Sequence, residues 1–400
     1  MKDPVTIVTG ITYDRDSIEK WIFSQKNNNC PVTKQVILSD AAADLTPNIT
    51  LRRLIQSWCT LHAAQGIERL PTPKPPVSKP QILKILKDAK NIPQMQMKCL
   101  QRLRSIASQN QTNKRCMETV GTAEFLASLI VKNTLRASRS ESSSEEDFSD
   151  LIKASEEALS VLYGLQLSES GLKSLTLNGE FLESLTRFMQ YASYESRVYA
   201  VMMLKSMLEV ADPAQLINLR PEFFVELAQI LRDQHVCQNA SKATLKILIC
   251  VCPWGRNKMK AVEAGVVPIL IELLLDSSDK RACEMMLMVL DLLCQCADGR
   301  SELTKHGAGL AIVSKKILRI SHVASERAVR ILHSVSKFSA TPGILQEMLQ
   351  IGVVAKLCLV LQVDCGVKTK ERAREILKLH ARAWRNSACI HNSLISSYPS

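Results

Sequence analysis

The residues with which this 400-residue chain could do covalent or metal chemistry are its 13 cysteines and 7 histidines. Cys250/Cys252 and Cys294/Cys296 have the close spacing of soft-metal ligands. A structural zinc site needs four Cys or His donors, however, and neither pair has a histidine or a carboxylate at ligand spacing. Both pairs lie in strongly apolar stretches, where a free cysteine behaves as a small buried hydrophobe. His62, His235, His306, His322, His333, His380 and His391 are scattered, and none stands in a nucleophile–base arrangement. No glycine-rich phosphate loop is present. The sequence thus offers no catalytic constellation, metal set or cofactor loop, and the question becomes which elements could hold other molecules in place.

The densest pattern lies between Lys2 and Trp58. Val5-Thr6-Ile7-Val8-Thr9 is β-branched throughout and suits a strand. Gly10 permits a turn and Ile11-Thr12-Tyr13 suits a returning strand, which predicts a hairpin. Asp14 is a candidate N-cap for a helix on which Ile18, Trp21 and Ile22 fall on one face. Asn27-Asn28-Asn29 ends that helix in a polar loop leading to Cys30-Pro31. Asn48 is a second candidate cap, before a helix with Leu51, Leu54, Ile55 and Trp58 as its apolar stripe. The expected product is a mixed α/β unit of about sixty residues, marginal in its core on size alone. Up to residue 58 it holds one cysteine, Cys30, and no histidine, so zinc is not expected to brace it.

Pro71, Pro73, Pro75, Pro76 and Pro80 forbid a regular helix and predict an extended spacer. Residues 1–66 therefore read as the first domain and 67–80 as a linker. From residue 81 to 386 the sequence repeats itself. Gly121, Gly179, Gly265, Gly307 and Gly352 each precede an apolar helix. Glu326-Arg-Ala-Val-Arg-Ile-Leu332 returns as Glu371-Arg-Ala-Arg-Glu-Ile-Leu377, 45 residues later. Ala240 and Ala282 are 42 apart, with leucines in matching positions. Periods of about 40–47 residues predict HEAT or armadillo units, about six to seven of them, each burying its apolar face against its neighbours. Pro80 to Asn91 reads as the opening helix, ended by Pro93. Residues 138–150 interrupt the period as a polar, acidic, mobile insertion, in which Ser142, Ser143 and Ser144 are either phosphorylation sites or plain solvated loop. Trp384 is read as capping the core of the last repeat, with a binding role as the alternative, and 387–400 as a frayed tail.

Composition fits this picture. Hydrophobic residues make up 46% and aromatics only 4%, which suits helix-on-helix packing. The predicted fold class is mainly α: an armadillo-type α-solenoid preceded by a small α/β domain. The net charge is +12, but basic residues are spread without a dense basic arm or interleaved aromatics, so no nucleic-acid partner is expected. No secretory signal or apolar membrane span is visible, so no transmembrane segment is expected. Free thiols then point to the cytoplasm or the nucleus.

Read in order, Lys2-Asp3-Pro4-Val5, Thr9-Gly10-Ile11-Thr12-Tyr13-Asp14-Arg15, Ile18-Glu19-Lys20-Trp21, Cys30-Pro31-Val32-Thr33 and Leu45-Thr46-Pro47-Asn48 resemble the U-box of plant E3 ubiquitin ligases. Thr72-Pro73-Lys74-Pro75-Pro76, followed by a segment from Asn257 to Leu270 that resembles an armadillo turn, is similar to the subgroup carrying armadillo repeats, whose members act in stress and immune signalling. In that family the U-box opens with a phenylalanine and a Cys-Pro-Ile stretch. Here Met1 stands almost directly against Asp3-Pro4, so the opening loop is expected to be absent.

The resemblance implies a ligase without zinc, braced by polar pairs; Asp3, Asp14, Arg15, Lys20 and Asp44 are candidates, with solvated surface charge as the alternative. A U-box forms no thioester on its own cysteine, so Cys30 is not expected to be an acceptor. It binds an E2 carrying ubiquitin and holds it near a substrate lysine, and catalysis is positioning. By resemblance the E2-binding residues are Pro31 in the second loop, Trp21 beside it on the central helix, and Lys34, where a basic residue bridges E2 and ubiquitin. For Trp21 the alternative, a place in the hydrophobic core, is slightly favoured over direct contact. Lys34 lacks the forked donors of arginine. No catalytic residue, metal or cofactor is expected. The partners implied are an E2, ubiquitin, a protein substrate on the concave face of the repeats, and a second copy in a homo-oligomer. A carrier of basic peptides is disfavoured, because the helices near Ala240, Ala282, Ala328 and Ala373 lack ladders of Trp and Asn. The alternative is a non-catalytic armadillo adaptor with an impaired U-box.

Overall fold

The structure, a computed structural model, describes residues 1–24, 27–37, 45–68, 77–139, 145–233 and 238–384. The chain divides into two compact units, 1–175 and 176–400. The first opens with a hairpin, β1 (Pro4–Thr6) against β2 (Thr12–Asp14), in antiparallel register Val5↔Tyr13. β3 (Thr46–Pro47) pairs with the other edge of β1, giving the order β2-β1-β3. The strands are shorter than the β-branched run predicts. The turn begins at Ile7, whose N–H bonds Ile11 O at 3.1 Å, and Gly10 takes a left-handed φ of 80° to close it.

Helix α1 (Arg15–Glu19) follows and continues as a wide π turn, Lys20–Ser24. The apolar face read from the sequence holds: Ile18 is buried, and Trp21 and Ile22 pack half-buried on the cluster of Val5, Ile7, Ile18, Cys30, Ile37 and Leu45. Helix α2 (Ile49–Leu61) is capped as expected, the Asn48 carboxamide accepting from Leu51 N at 3.0 Å. Its predicted apolar stripe is not core, however. Leu54 is 62% and Trp58 52% exposed, and Cys59 is the buried residue of this helix.

Asp14 departs from expectation too. It holds the N-cap position, but its carboxylate accepts the N–H groups of Lys2 and Asp3, at 2.8 and 2.9 Å. Pairing of Pro4 with Asp14 brings those two amides to it, an event of tertiary register.

The rest of the first unit is α3 (Lys79–Asn91), α4 (Pro93–Ala107), α5 (Gln111–Thr119), α6 (Thr122–Arg139) and α7 (Glu145–Leu165). Helix α3 ends at Asn91, as read, and Pro93 starts α4, where its missing N–H costs nothing. The insertion expected over 138–150 is narrower than its polarity suggests. Helices α6 and α7 reach into it from both sides, and 140–144 lie outside the described residues. Helix α8 (Glu169–Leu177) spans the division between the units.

The second unit runs α9 (Gly179–Phe188), α10 (Tyr194–Leu208), α11 (Pro213–Ile217), α12 (Pro221–Arg232), α13 (Gln238–Val251), α14 (Asn257–Glu263), α15 (Val266–Asp276) and α16 (Lys280–Leu293). It continues with α17 (Ala297–Lys305), α18 (Gly309–Lys316), α19 (His322–Phe338), α20 (Pro342–Gln350), α21 (Val353–Gln362), α22 (Val367–Leu379) and α23 (Ala381–Trp384). Helices α10, α13, α16, α19 and α22 stack in that order, each on the next. This is the repeat that the 42- and 45-residue spacings encode.

Polar staples lock the stack between units of the repeat. Buried Asn257 donates its Nδ2 to Leu216 O at 2.7 Å and to Val251 O at 2.9 Å. Lys316 Nζ reaches Ser277 O at 3.1 Å and Lys356 Nζ reaches Ser314 O at 2.6 Å. Gly265 and Gly352 adopt left-handed backbone (φ 78° and 75°), which is why the repeat places glycine there. Trp384 is buried, with its indole N–H on Leu345 O at 3.3 Å, closing the last core as read. Residues 385–400, with the tail expected at 387–400, lie outside the described residues. Cys252 and Cys294 are fully buried, and burial pushes the Cys252 thiol up to about 12, as suits structural thiols. No single helix among the described residues is long and apolar enough to cross a membrane.

Candidate functional site: the second loop of the first domain

Cys30 fixes the loop that follows the central helix. Its sulfur is wholly buried and receives Thr9 Oγ1 at 3.5 Å and Thr33 N at 3.4 Å, and it lies 3.2 Å from the Tyr13 hydroxyl. Burial opposes ionisation, but the donors Thr33, Thr9 and Tyr13 outweigh it and carry the thiol down to about 6. Tyr13 moves the opposite way: burial and its contact with Cys30 raise its phenol, against the pull of the Val32 amide. The loop closes on itself through Cys30 N to Gln35 O at 2.8 Å and Lys34 N to Cys30 O at 3.0 Å. Cys30 is therefore an anchor and presents no accessible nucleophile.

The loop so held presents apolar side chains to solvent. Val32 is 64% and Val36 66% exposed, while Pro31 is half-buried at its base. Trp21 serves packing and placement together. Its ring rests on the core cluster and its Nε1–H bonds Asn29 O at 2.8 Å, joining the central helix to the residue just before Cys30-Pro31. Trp21 is thus tied to the backbone two residues before Pro31. Lys34 is exposed, with a left-handed φ of 59° that costs a non-glycine residue roughly 1–2 kcal/mol. Such strain is tolerated where the surroundings fix a residue, and here two loop hydrogen bonds do so.

A connected set of charges ties together the start of β1, α1 and α2 of this domain. Asp3 bonds Arg15 at 2.7 Å through one oxygen and Arg52 at 2.5 Å through the other. Arg15 lies 3.7 Å from Glu19, which is buried. The Glu19 carboxylate accepts Gln111 N at 3.0 Å and the Thr112 hydroxyl, at the start of α5. Of the charges proposed as braces, Asp3 and Arg15 are paired, Asp14 binds backbone, Lys20 is exposed and Asp44 lies outside the described residues. Glu19 and Arg52 were not singled out as braces. The signal for Glu19 was its place four residues after Arg15 on a helix.

The fold and site define a class: a stack of armadillo-type three-helix repeats joined to a small α/β domain whose core is braced by ion pairs and whose second loop is apolar and rigid. Residues 1–64 match the model of the U-box domain, and 81–400 match that of the plant U-box protein ARM repeat region. The chain is 56% identical over 405 residues to E3 ubiquitin-protein ligase PUB23 of Arabidopsis thaliana, covering 100% of this chain and 94% of that protein. It is 56% identical over 420 residues to E3 ubiquitin-protein ligase PUB22 of the same plant, covering 100% and 95%. The crystal structure of Uso1-2 superposes with a TM-score of 0.52 at 13% identity, covering 74% of this chain and 50% of that one, a likeness of fold alone. This chain belongs to the plant U-box family with armadillo repeats.

Proposed function

We propose that this protein is an E3 ubiquitin ligase in which the loop around Pro31 receives an E2 carrying ubiquitin and the repeats hold the substrate. The observation that carries the reading is the pinned second loop: an apolar surface of Val32 and Val36 over Pro31, fixed by Cys30 and by Trp21. A rigid apolar patch with one exposed cation, Lys34, suits a small transient protein interface, in which a few residues supply most of the energy. No group of this chain needs to react. The thioester belongs to the E2 and the amine to the substrate, so the chain contributes proximity. The 56% identity to two E3 ubiquitin-protein ligases supports the same reading.

The test is ubiquitin-chain formation with E1 and a panel of E2s, comparing the native chain with Pro31→Ala. The variant is expected to lose about tenfold or more in rate, equivalent to about 1.4 kcal/mol of E2 binding, with its melting curve unchanged. A folded native chain that is inactive with every E2 would leave the adaptor reading in its place.

A further inference from the structure

The stacked helices α10, α13, α16, α19 and α22 share one half-buried face, and its chemistry changes along the stack. On α16 it carries Met285 and Met288, and on α19 the matching turns carry Arg327 and Arg330. Arg327 Nη1 and Arg330 Nε both contact the same oxygen of Asp291, at 3.0 and 3.2 Å. Arg372 on α22 acts on the same carboxylate electrostatically, and its nearest anion is Glu326, at 3.7 Å. Asp291 is buried and the three arginines are half-buried, so the arginines remain partly open to solvent.

Charge does not balance there. A guanidinium has five N–H donors, and one aspartate cannot satisfy three of them. Arg327 Nε and Arg372 Nη1 make no hydrogen bond. Two further anions stand here: Glu326, 3.7 Å from Arg372, and Glu375, itself engaged by His333 at 2.8 Å and Lys337 at 3.6 Å. Asp291, with Glu326 beside Arg372, therefore organises the three arginines without neutralising all of them. Planar forks fixed in this way are suited to carboxylates. Beside them, methionines offer an adaptable apolar surface.

Resting on the reading that the repeats recruit substrate, we infer that Arg327, Arg330 and Arg372 form the anchor for an acidic peptide segment of the substrate, whose neighbouring apolar residues lie over Met285 and Met288. The substrate class is thus a protein with an exposed run of Asp or Glu next to apolar residues. Binding weakens with salt, because the contact is charge-driven at a partly open site.

The experiment uses the full chain and a short fluorescein-labelled oligoglutamate peptide, read by anisotropy, with oligolysine and a serine-phosphorylated neutral peptide as comparators. Oligoglutamate is expected to bind and oligolysine not. Arg330→Glu should weaken binding by about tenfold or more. Arg372→Lys keeps the charge opposite Glu326 and should leave melting unchanged, yet weaken binding several-fold through loss of the fork. Arg374→Glu, exposed on the same helix but outside the cluster, should change it by less than about twofold. Equal weakening by Arg374→Glu, or tighter binding of the phosphorylated peptide, overturns the inference. Ubiquitin-chain formation is assayed on the same preparations. Chain formation without peptide binding rejects this inference and leaves the ligase reading standing. Peptide binding without chain formation supports this inference and counts against the ligase reading alone.

Discussion

Cys30 shows how one residue can be misjudged by type and then explained by its contacts. A cysteine beside a proline in a loop invites a nucleophilic reading, but here the sulfur is a buried acceptor on which Thr9, Tyr13 and Thr33 converge. Sequence could not show this, because two of the three groups, Thr9 and Tyr13, come from a hairpin some twenty residues earlier. Its ionisation gives a test with a definite sign. The folded thiol titrates near 6, against an ordinary value of 9.0. A group whose folded value is depressed contributes stability that is complete above its unfolded value and is lost as pH falls through the folded one. Replacing it by alanine should therefore loosen the loop more at pH 9 than at pH 6. Hydrogen exchange at the Lys34 and Ile37 amides, native against Cys30→Ala at each pH, reads the difference. A gap that is constant with pH would show that the sulfur acts by packing alone. Asn48 and Asp14 make the same contrast in legibility. Asn48 caps the residues that follow it in sequence, so its role was readable. Asp14 binds amides delivered by strand pairing, so its role was not.

Among elements, local periodicity was reliable for type and weaker for environment. Every helix read from the repeat pattern is present, and Pro80 to Asn91 is found as Lys79–Asn91. The stripe on α2 is regular, yet Leu54 and Trp58 face solvent, because periodicity reports a face and not what covers it. The recurring Glu-Arg-Ala at 326 and 371 was legible as a repeat. That Arg327 and Arg330 of the first copy converge on Asp291 was not, since Asp291 belongs to the preceding helix of the stack. The contact of α1 with α5 carries a prediction at this scale. Glu19 accepts two hydrogen bonds at the positive end of α5 and partners Arg15. Glu19→Ala removes those acceptors and leaves Arg15 short of a charge in a buried setting. The expected cost is on the order of 1–3 kcal/mol, with faster exchange at the Gln111 amide. Unchanged protection there would mean that Asn110, which caps Asn113 N at 2.7 Å, suffices to hold the start of α5.

For the whole molecule, the repeat architecture decides how far a local defect spreads. In a stack, stability is close to a sum of units and nearest-neighbour interfaces. The interfaces here combine apolar burial with a recurring polar staple. Asn257 bonds Leu216 O and Val251 O, Asn113 bonds Ile106 O at 3.1 Å, and Arg300 bonds Cys294 O at 3.1 Å. Three side chains of two types thus add donors to carbonyls at the ends of helices, beside the bonds that Val251 O, Ile106 O and Cys294 O accept from Trp254 N, Gln109 N and the Ser334 hydroxyl. Asn257 is the sharpest case, since it is fully buried and bridges two successive units of the repeat. Asn257→Ala removes both bonds, takes from Leu216 O its Asn257 donor while Val251 O keeps the Trp254 N–H, and opens a small void, at a cost of about 2–4 kcal/mol. Nearest-neighbour coupling predicts that the loss stays regional. Amides of α11 through α17 should exchange faster, while those of Thr6 and Tyr13 in the U-box sheet should keep their native rates. Mass-resolved hydrogen exchange on the full chain separates the outcomes. A uniform loss of protection that includes the U-box sheet would show the chain unfolding as one cooperative body, and the additive account of the repeats would then fail.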